Sequence, residues 1–477
     1  MKIKKKISAI VLFLLILVSG IFWFSPEQPL KPGMLIVTAV PTEIDLALDD
    51  LGVDERYIPQ ARIIALDIYK DRKETFILTE PFYSARAPEV SYDGKELVFS
   101  GQKEKNEEWQ IYVKDLQTLQ VRQITHFPEN CTDPAWLPDG RIAFSRLKEE
   151  EGVGKIHVLY ACNPDGTNLE RLTFHPNTTI VPSVVNDGRI ILLSEQKYPV
   201  KGRKQMYAIR TDGTKSELFY RGDNQSVPVS RAWESMNNRL YLIEKDPGNQ
   251  GGTNLVYIDL GQPLGSRENL SPDDQGSYYS VFPEAKERLL VSYRFKGNRN
   301  YGVYEFDIKT KKIGKEIFVS EDFHLIEPVV IRDRALPMKL PPIVDSSKER
   351  GTLLCHDTDL SEIQVSGETE AETETFKVQV FGINKMLGEV PVEKDGSFYI
   401  EIDADSPVRF QTVNERGEIL RGPSAWIWVR PNERRSCIGC HEDRELAPEN
   451  KIPDALYNGM VSLPEYNKAE SIVLSDK

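Results

Sequence analysis

Between residues 34 and 331 the apolar residues come in short runs separated by turn residues at a regular interval. Aligning 88–94, 134–140 and 182–188 places Asp-Gly turns at 93, 139 and 187, which are 46 and 48 residues apart (139 − 93 and 187 − 139). An apolar strand follows each turn: Leu97-Val98-Phe99, Ile142-Ala143-Phe144 and Ile190-Ile191-Leu192-Leu193. A polar loop, a third strand (110–113, 157–161, 206–209) and a second turn such as Asp165-Gly166 or Asp212-Gly213 come next. A fourth strand closes the unit, often ending in Ile124-Thr125 or Leu172-Thr173. Four short strands per repeat of this length predict a propeller blade.

Two weaker copies follow, with turns at Asn237-Asn238 and near Lys286, and then an inner strand at 328–331 without companions. Its partners are expected at the other end of the array, where 34–40, 62–69 and 74–79 read as strands two to four of a blade. The chain is therefore expected to be mainly β, with a propeller of six blades, or seven as the alternative, closed by joining its two ends. The repeats resemble the TolB-type, Pro-Asp-rich propeller family, a likeness that implies architecture but no particular function. His126, His175 and His324 each fall just before the inner strand of the following blade and so lie on one face of the ring, where a metal site or a mere echo of the repeat are both readings. Cys131 and Cys162 are expected at opposite ends of parallel strands, too far apart for a disulfide.

From Pro337 the pattern changes, with Pro341 and Pro342 marking an exit from the array. Alternating strands are expected at 376–381, 388–392, 397–402 around Asp395-Gly396, 408–413 and 426–429, forming a small sandwich-like sheet; an acidic insertion occupies 361–374. The last strand leads through Arg430-Pro431 into Cys437-Ile438-Gly439-Cys440-His441. This is the C-x-x-C-H pattern of c-type haem attachment. Cys437 and Cys440 can add to the two vinyl groups as thioethers, and His441 then lies under the iron as its proximal ligand. A C-x-x-C can also be half a zinc site or a redox dithiol, but there is no second C-x-x-C and the surroundings read as all-β.

Covalent haem of this kind requires export, which shifts attention to the N-terminus. Lys2, Lys4, Lys5 and Lys6 precede a charge-free, mostly apolar run over 7–24, a signal sequence or transmembrane anchor. The best cleavage-like site, Val18-Ser19-Gly20, sits inside the run, so an uncleaved helix with the rest of the chain outside the cytoplasm is expected. The expected divisions are 1–30 (anchor and linker), 31–336 (propeller) and 337–477 (haem c domain with a polar tail). A net charge of -13 argues against a nucleic-acid partner, and five cysteines are too few for a disulfide framework.

The segments 390–398, Trp426-Ile427-Trp428-Val429-Arg430-Pro431 and 434–442 resemble the haem-bearing C-terminal region of hydrazine synthase alpha subunit-like proteins. The order of propeller followed by haem domain fits that family as well. The resemblance implies a distal haem held by two histidines, with His356 as the candidate partner of His441; Met460 and Met386 are the alternatives. Trp426 and Trp428, two apart on one strand, would both touch the haem or neither. The family's hydrazine-forming member carries a second, catalytic haem ahead of the propeller, whereas this chain has one C-x-x-C-H, so synthase activity is not expected. The expected function is thus a membrane-anchored, extracytoplasmic monohaem cytochrome c that relays electrons to a redox partner protein docked on the propeller. The alternatives are a haem enzyme acting on a small nitrogen or oxygen compound, and a TolB-type binding module with a structural haem.

Overall fold

In the computed structural model, residues 23–24, 30–46, 56–68, 74–196, 202–223, 226–245, 252–271, 276–360, 374–439 and 450–463 are described. They are almost entirely β; the helix among them, Ala455–Asn458, has four residues. No helix among the described residues is long and apolar enough to cross a membrane, and the N-terminal apolar run lies outside them apart from Trp23–Phe24.

Six antiparallel sheets follow one another through residue 330. Sheet 1 pairs Leu35–Pro41 with Arg62–Leu66 and Thr75–Ile77, and takes Phe323–Val330 from the far end of the array on its other side. Sheet 2 runs Ser84–Val90, Glu96–Gln102, Gln110–Asp115, Val121–Gln123; sheet 3 runs Cys131–Trp136, Ile142–Glu150, Gly154–Cys162, Glu170–Arg171. Sheet 4 begins at Thr178–Val184, sheet 5 at Val227–Pro228 and Trp233–Glu234, and sheet 6 at Ser277–Ala285. The Asp-Gly turns are the cause of this regularity. In the turn after Pro134, Gly140 adopts φ 91° and Asp139 Oδ1 accepts the Arg141 N–H at 3.1 Å, a geometry that reverses the chain into the second strand. The two middle strands of each sheet are buried on both faces, as the continuous apolar runs require. The result is propeller-like.

Sheets 7 and 8 lie beyond. Sheet 7 has the order Arg434–Cys437, Arg350–Cys355, Phe398–Asp403, Val461–Ser462; sheet 8 has Met386–Pro391, Lys377–Phe381, Arg409–Val413, Ile419–Arg421. Their facing side chains, among them Leu353, Ile400, Val378, Val380 and Phe410, share one core. Residues 426–429 were expected to form a strand, yet only Ile427 makes an isolated bridge, to Val408. The reason is Trp428, which leaves the sheets and packs with Leu172, Tyr207 and Ile209 of the propeller-like array.

Around Trp428 the two parts of the chain are joined by buried polar contacts. Arg430, 5% exposed, donates to the Asp212 carbonyl at 2.7 Å and the Arg171 carbonyl at 3.1 Å, and to Glu170 at 3.1 Å. Glu433, fully buried, accepts the Lys215 N–H at 2.8 Å and the Arg430 N–H at 2.9 Å. A buried charge is retained when such partners satisfy it.

Candidate functional site: a cavity beside the C-x-x-C-H peptide

Cys437 ends the edge strand of sheet 7, paired in parallel register with Cys355. The His356 N–H donates to the Cys437 carbonyl at 3.0 Å and the Asp357 N–H to the Ile438 carbonyl at 3.1 Å, so the start of the motif is held by main-chain bonds to 355–357. Gly439 is required by close approach: a Cβ there would run into the Leu360 carbonyl oxygen. Cys440 and His441 lie outside the described residues.

Beside Cys437 opens a cavity walled by Leu353, Cys355, Val378, Phe398, Phe410, Ile427 and Gly439 from the C-terminal sheets and by Tyr207, Leu218 and Leu264 from the array. Arg435 also lines it, positioned by a 2.8 Å bond to Ser216 Oγ. An apolar lining with one cation at its wall suits a flat, largely apolar group bearing anionic substituents. His356 is half-buried and does not line the cavity, but its Nδ1 is buried without a hydrogen-bond partner, as expected of an imidazole meant to meet something further. Met386 and Met460 are exposed, at 48% and 39%. Neither Trp426 nor Trp428 lines the cavity: Trp426 sits beneath the Arg409 guanidinium, 4.9 Å from its ring centroid, and Trp428 enters the array.

The histidines grouped by repeat symmetry occupy unlike surroundings. His126 is exposed. His175 is buried between Tyr207 and Trp428, at 5.4 and 5.2 Å between ring centroids, and burial pulls its pKa down to about 4. His324 is buried and its Nδ1 accepts the Tyr301 N–H at 3.3 Å. Among the described residues no group of three His, Cys, Asp or Glu is arranged to hold a metal. Cys131 opens its strand opposite Arg146 and Cys162 closes its own opposite Ile142, and both are free thiols that burial pushes up to about 12.

A second, smaller chamber escaped the sequence reading. Ala87, Asp133, Val181, Ser230, Tyr279 and Glu327, one from the first strand or entry segment of each sheet, all line it. Four of the six precede a proline and have positive φ: Ala87 55°, Asp133 53°, Val181 46° and Glu327 55°. The pairing register slips at each of these four places. Such bulges re-aim side chains, and a β-branched residue at positive φ is strained enough to suggest a function. The recurrent prolines 88, 134, 182 and 328 carried the signal, but a residue before proline is normally extended, so sequence alone gave no reason to turn it inward.

Comparison with known proteins agrees with the two-part architecture. Residues 354–442 match the family described as hydrazine synthase alpha subunit middle domain, and residues 60–262 match the TolB beta propeller domain. The chain is 22% identical to hydrazine synthase subunit alpha of Kuenenia stuttgartiensis, covering 84% of this chain and 65% of that protein's length. The structure of Kuenenia stuttgartiensis hydrazine synthase superposes with a TM-score of 0.76 at 19% identity, over 91% of this chain and 72% of that one. TolB from Acinetobacter baumannii gives 0.40 at 16% identity, over 63% and 66%.

These relatives overturn the expectation of a monohaem cytochrome that only relays electrons. The matched protein is a subunit of an enzyme, and nothing found supports a monohaem carrier. With a propeller-like array followed by a segment that matches the hydrazine synthase alpha subunit middle domain, the chain is similar to hydrazine synthase subunit alpha in both of its parts.

Proposed function

We propose that the chain is a haem-bearing subunit of an enzyme that acts on a small nitrogen compound, in the manner of the hydrazine synthase to which it is related. The observation that carries this reading is the apolar cavity lying against Cys437, inside the segment that matches the hydrazine synthase alpha subunit middle domain. In this proposal Cys437 and Cys440 hold one haem c and His441 is its proximal ligand, with His356 the candidate second ligand. The orphaned Nδ1 of His356 and its main-chain tie to Cys437 support that choice. When bound, the haem supplies redox chemistry at its iron. The chain's own residues do the rest: Phe398, Phe410 and Ile427 exclude water, and the Arg435 guanidinium offers a counter-charge to a propionate.

The six sheets are proposed to close as six blades over 31–336, a rigid base for a haem domain over 337–477. The subunit is placed outside the cytoplasm, where haem c is matured, with the N-terminal apolar run as its membrane anchor and a redox protein as its electron partner. The test is to export the chain in a host competent for haem c maturation, reduce it, and titrate it with nitric oxide and with hydrazine. A change in the haem spectrum with either compound is the expected result; a covalent haem indifferent to both would remove the enzyme reading.

A further inference from the structure

The chamber lined by these six positions, four of them re-aimed, is a charged site in an apolar shell. Arg86, 2% exposed, directs Nη2 to Glu327 and Nη1 to the Arg56 carbonyl at 3.1 Å, with Asp133 Oδ1 3.7 Å away. Arg56 forks onto Asp133, with Nε to Oδ2 at 3.1 Å. Glu327 also accepts the Thr38 hydroxyl and the Ala87 N–H, each at 2.8 Å. On the other side Arg231 pairs with Glu89 at 2.9 Å and donates to the Pro134 carbonyl at 2.8 Å; Glu89 is shared with Arg334 at 3.4 Å.

Two features of this cluster are left over. The wall carries three guanidiniums against two carboxylates, and Glu89, which pairs one of them, is already shared with a fourth, so positive charge exceeds negative by one. In addition, Arg86 Nε is buried and has no hydrogen-bond acceptor. An unmatched N–H on a guanidinium out of water is costly, and the excess charge repels a cation. Val181, Val229, Val281 and Val329 on the same wall reduce screening and so strengthen any charge interaction inside.

We propose that this chamber binds a single small monoanion, a carboxylate or an inorganic oxyanion, that accepts from Arg86 Nε and neutralises the excess guanidinium charge. The strained prolyl-preceding bulges hold the receptor in place before the ligand arrives, which lowers the ordering cost of binding. The site is separate from the cavity beside Cys437 and does not depend on haem.

The experiment is anion titration of the purified full chain by calorimetry, with formate, acetate and nitrite as probes, together with a crystal soaked in bromide and measured for anomalous scattering. Expected are saturable binding of at least one probe and a bromide peak beside Arg86. Preference for formate and acetate assigns a carboxylate ligand, and preference for nitrite an inorganic one. Glu327→Gln keeps the shape and removes a negative charge, so it should tighten binding by about tenfold, whereas Arg86→Gln should abolish it. The opposite signs separate the proposal from a mere loss of fold. No binding to the wild type and no bromide peak in the chamber would overturn it, as would binding that Glu327→Gln leaves unchanged.

Discussion

The indole Nε1 of Trp428 donates a 3.0 Å hydrogen bond to the carbonyl oxygen of Gly213, in the turn between the last two strands of sheet 4. Trp428 is fully buried and comes nine residues before the end of the strand that carries Cys437 (437 − 428), so one side chain ties the candidate haem peptide to the propeller-like array.

Removal of this tie should be costly. Trp428→Ala leaves a large cavity among Leu172, Tyr207 and Phe174 and should lower unfolding free energy by about 3–5 kcal/mol. Trp428→Phe keeps most of the packing and loses one hydrogen bond, about 1 kcal/mol. Urea unfolding of the two variants checks the order; equal losses would show that packing at this position is not what joins the parts.

Gly213 itself should tolerate no side chain. Its φ is +78°, and an added Cβ would lie 2.6 Å from Arg430 Nη1 and 2.7 Å from the Leu172 carbonyl. Gly213→Ala should therefore destabilise the protein by more than the roughly 1 kcal/mol that left-handed backbone alone costs an L-residue. A thermal melt indistinguishable from wild type would contradict the described interface.

Acid should weaken the fold before the carboxylates titrate. Burial lowers both His157 and His175 to about 4 in the folded protein; for His157 the nearby Asp133 charge offsets only part of this. The unfolded chain protonates both near 6.5, so between about 6.5 and 4 it binds more protons and stability falls as pH drops. Each group contributes up to about 3 kcal/mol over that window. Urea midpoints from pH 7 to 4.5 should decline, and His175→Gln should flatten the decline. Parallel curves would mean that His175 is not buried in its neutral form.

Much of the array was legible because its cause is local. Asp-Gly turns at a fixed interval dictate where strands reverse, and the same residues recur in sheets 2, 3 and 4. Sheet 5 was harder to read: its first strand is split into Val227–Pro228 and Trp233–Glu234, and Asn237-Asn238 replaces the Asp-Gly pair. The pairing of Phe323–Val330 with Leu35–Pro41 could be anticipated from an unpartnered strand at each end. Trp428 misled the reading, since Trp-Ile-Trp-Val alternates like a strand while its partner lies more than two hundred residues away. The chamber around Arg86 was invisible for a related reason: the inward turn at Ala87, Asp133, Val181 and Glu327 runs against the preference that proline imposes on its predecessor.

At the candidate haem site, Cys437 was recognisable from spacing alone, but the cavity was not, because Tyr207 and Leu218 reach it from sheet 4 and Leu264 from the loop between Thr253–Asp259 and Glu268–Asn269 of sheet 5. His356 was chosen by resemblance, and its role is open to a direct check. In haem-loaded protein, His356→Ala should convert a low-spin electron paramagnetic resonance signal to high-spin. An unchanged low-spin signal would assign the second ligand elsewhere, to Met386, Met460 or a residue of 440–449.

The most direct test of the account is mass spectrometry of the tryptic peptides around Cys437 and Cys440, from the chain exported in a host competent for haem c maturation, beside a Cys437→Ser, Cys440→Ser variant. The account predicts one haem attached through both cysteines in the wild type and none in the variant. An unmodified Cys437 peptide in wild-type protein from that host would contradict it, and the cavity beside Cys437 would then need another occupant.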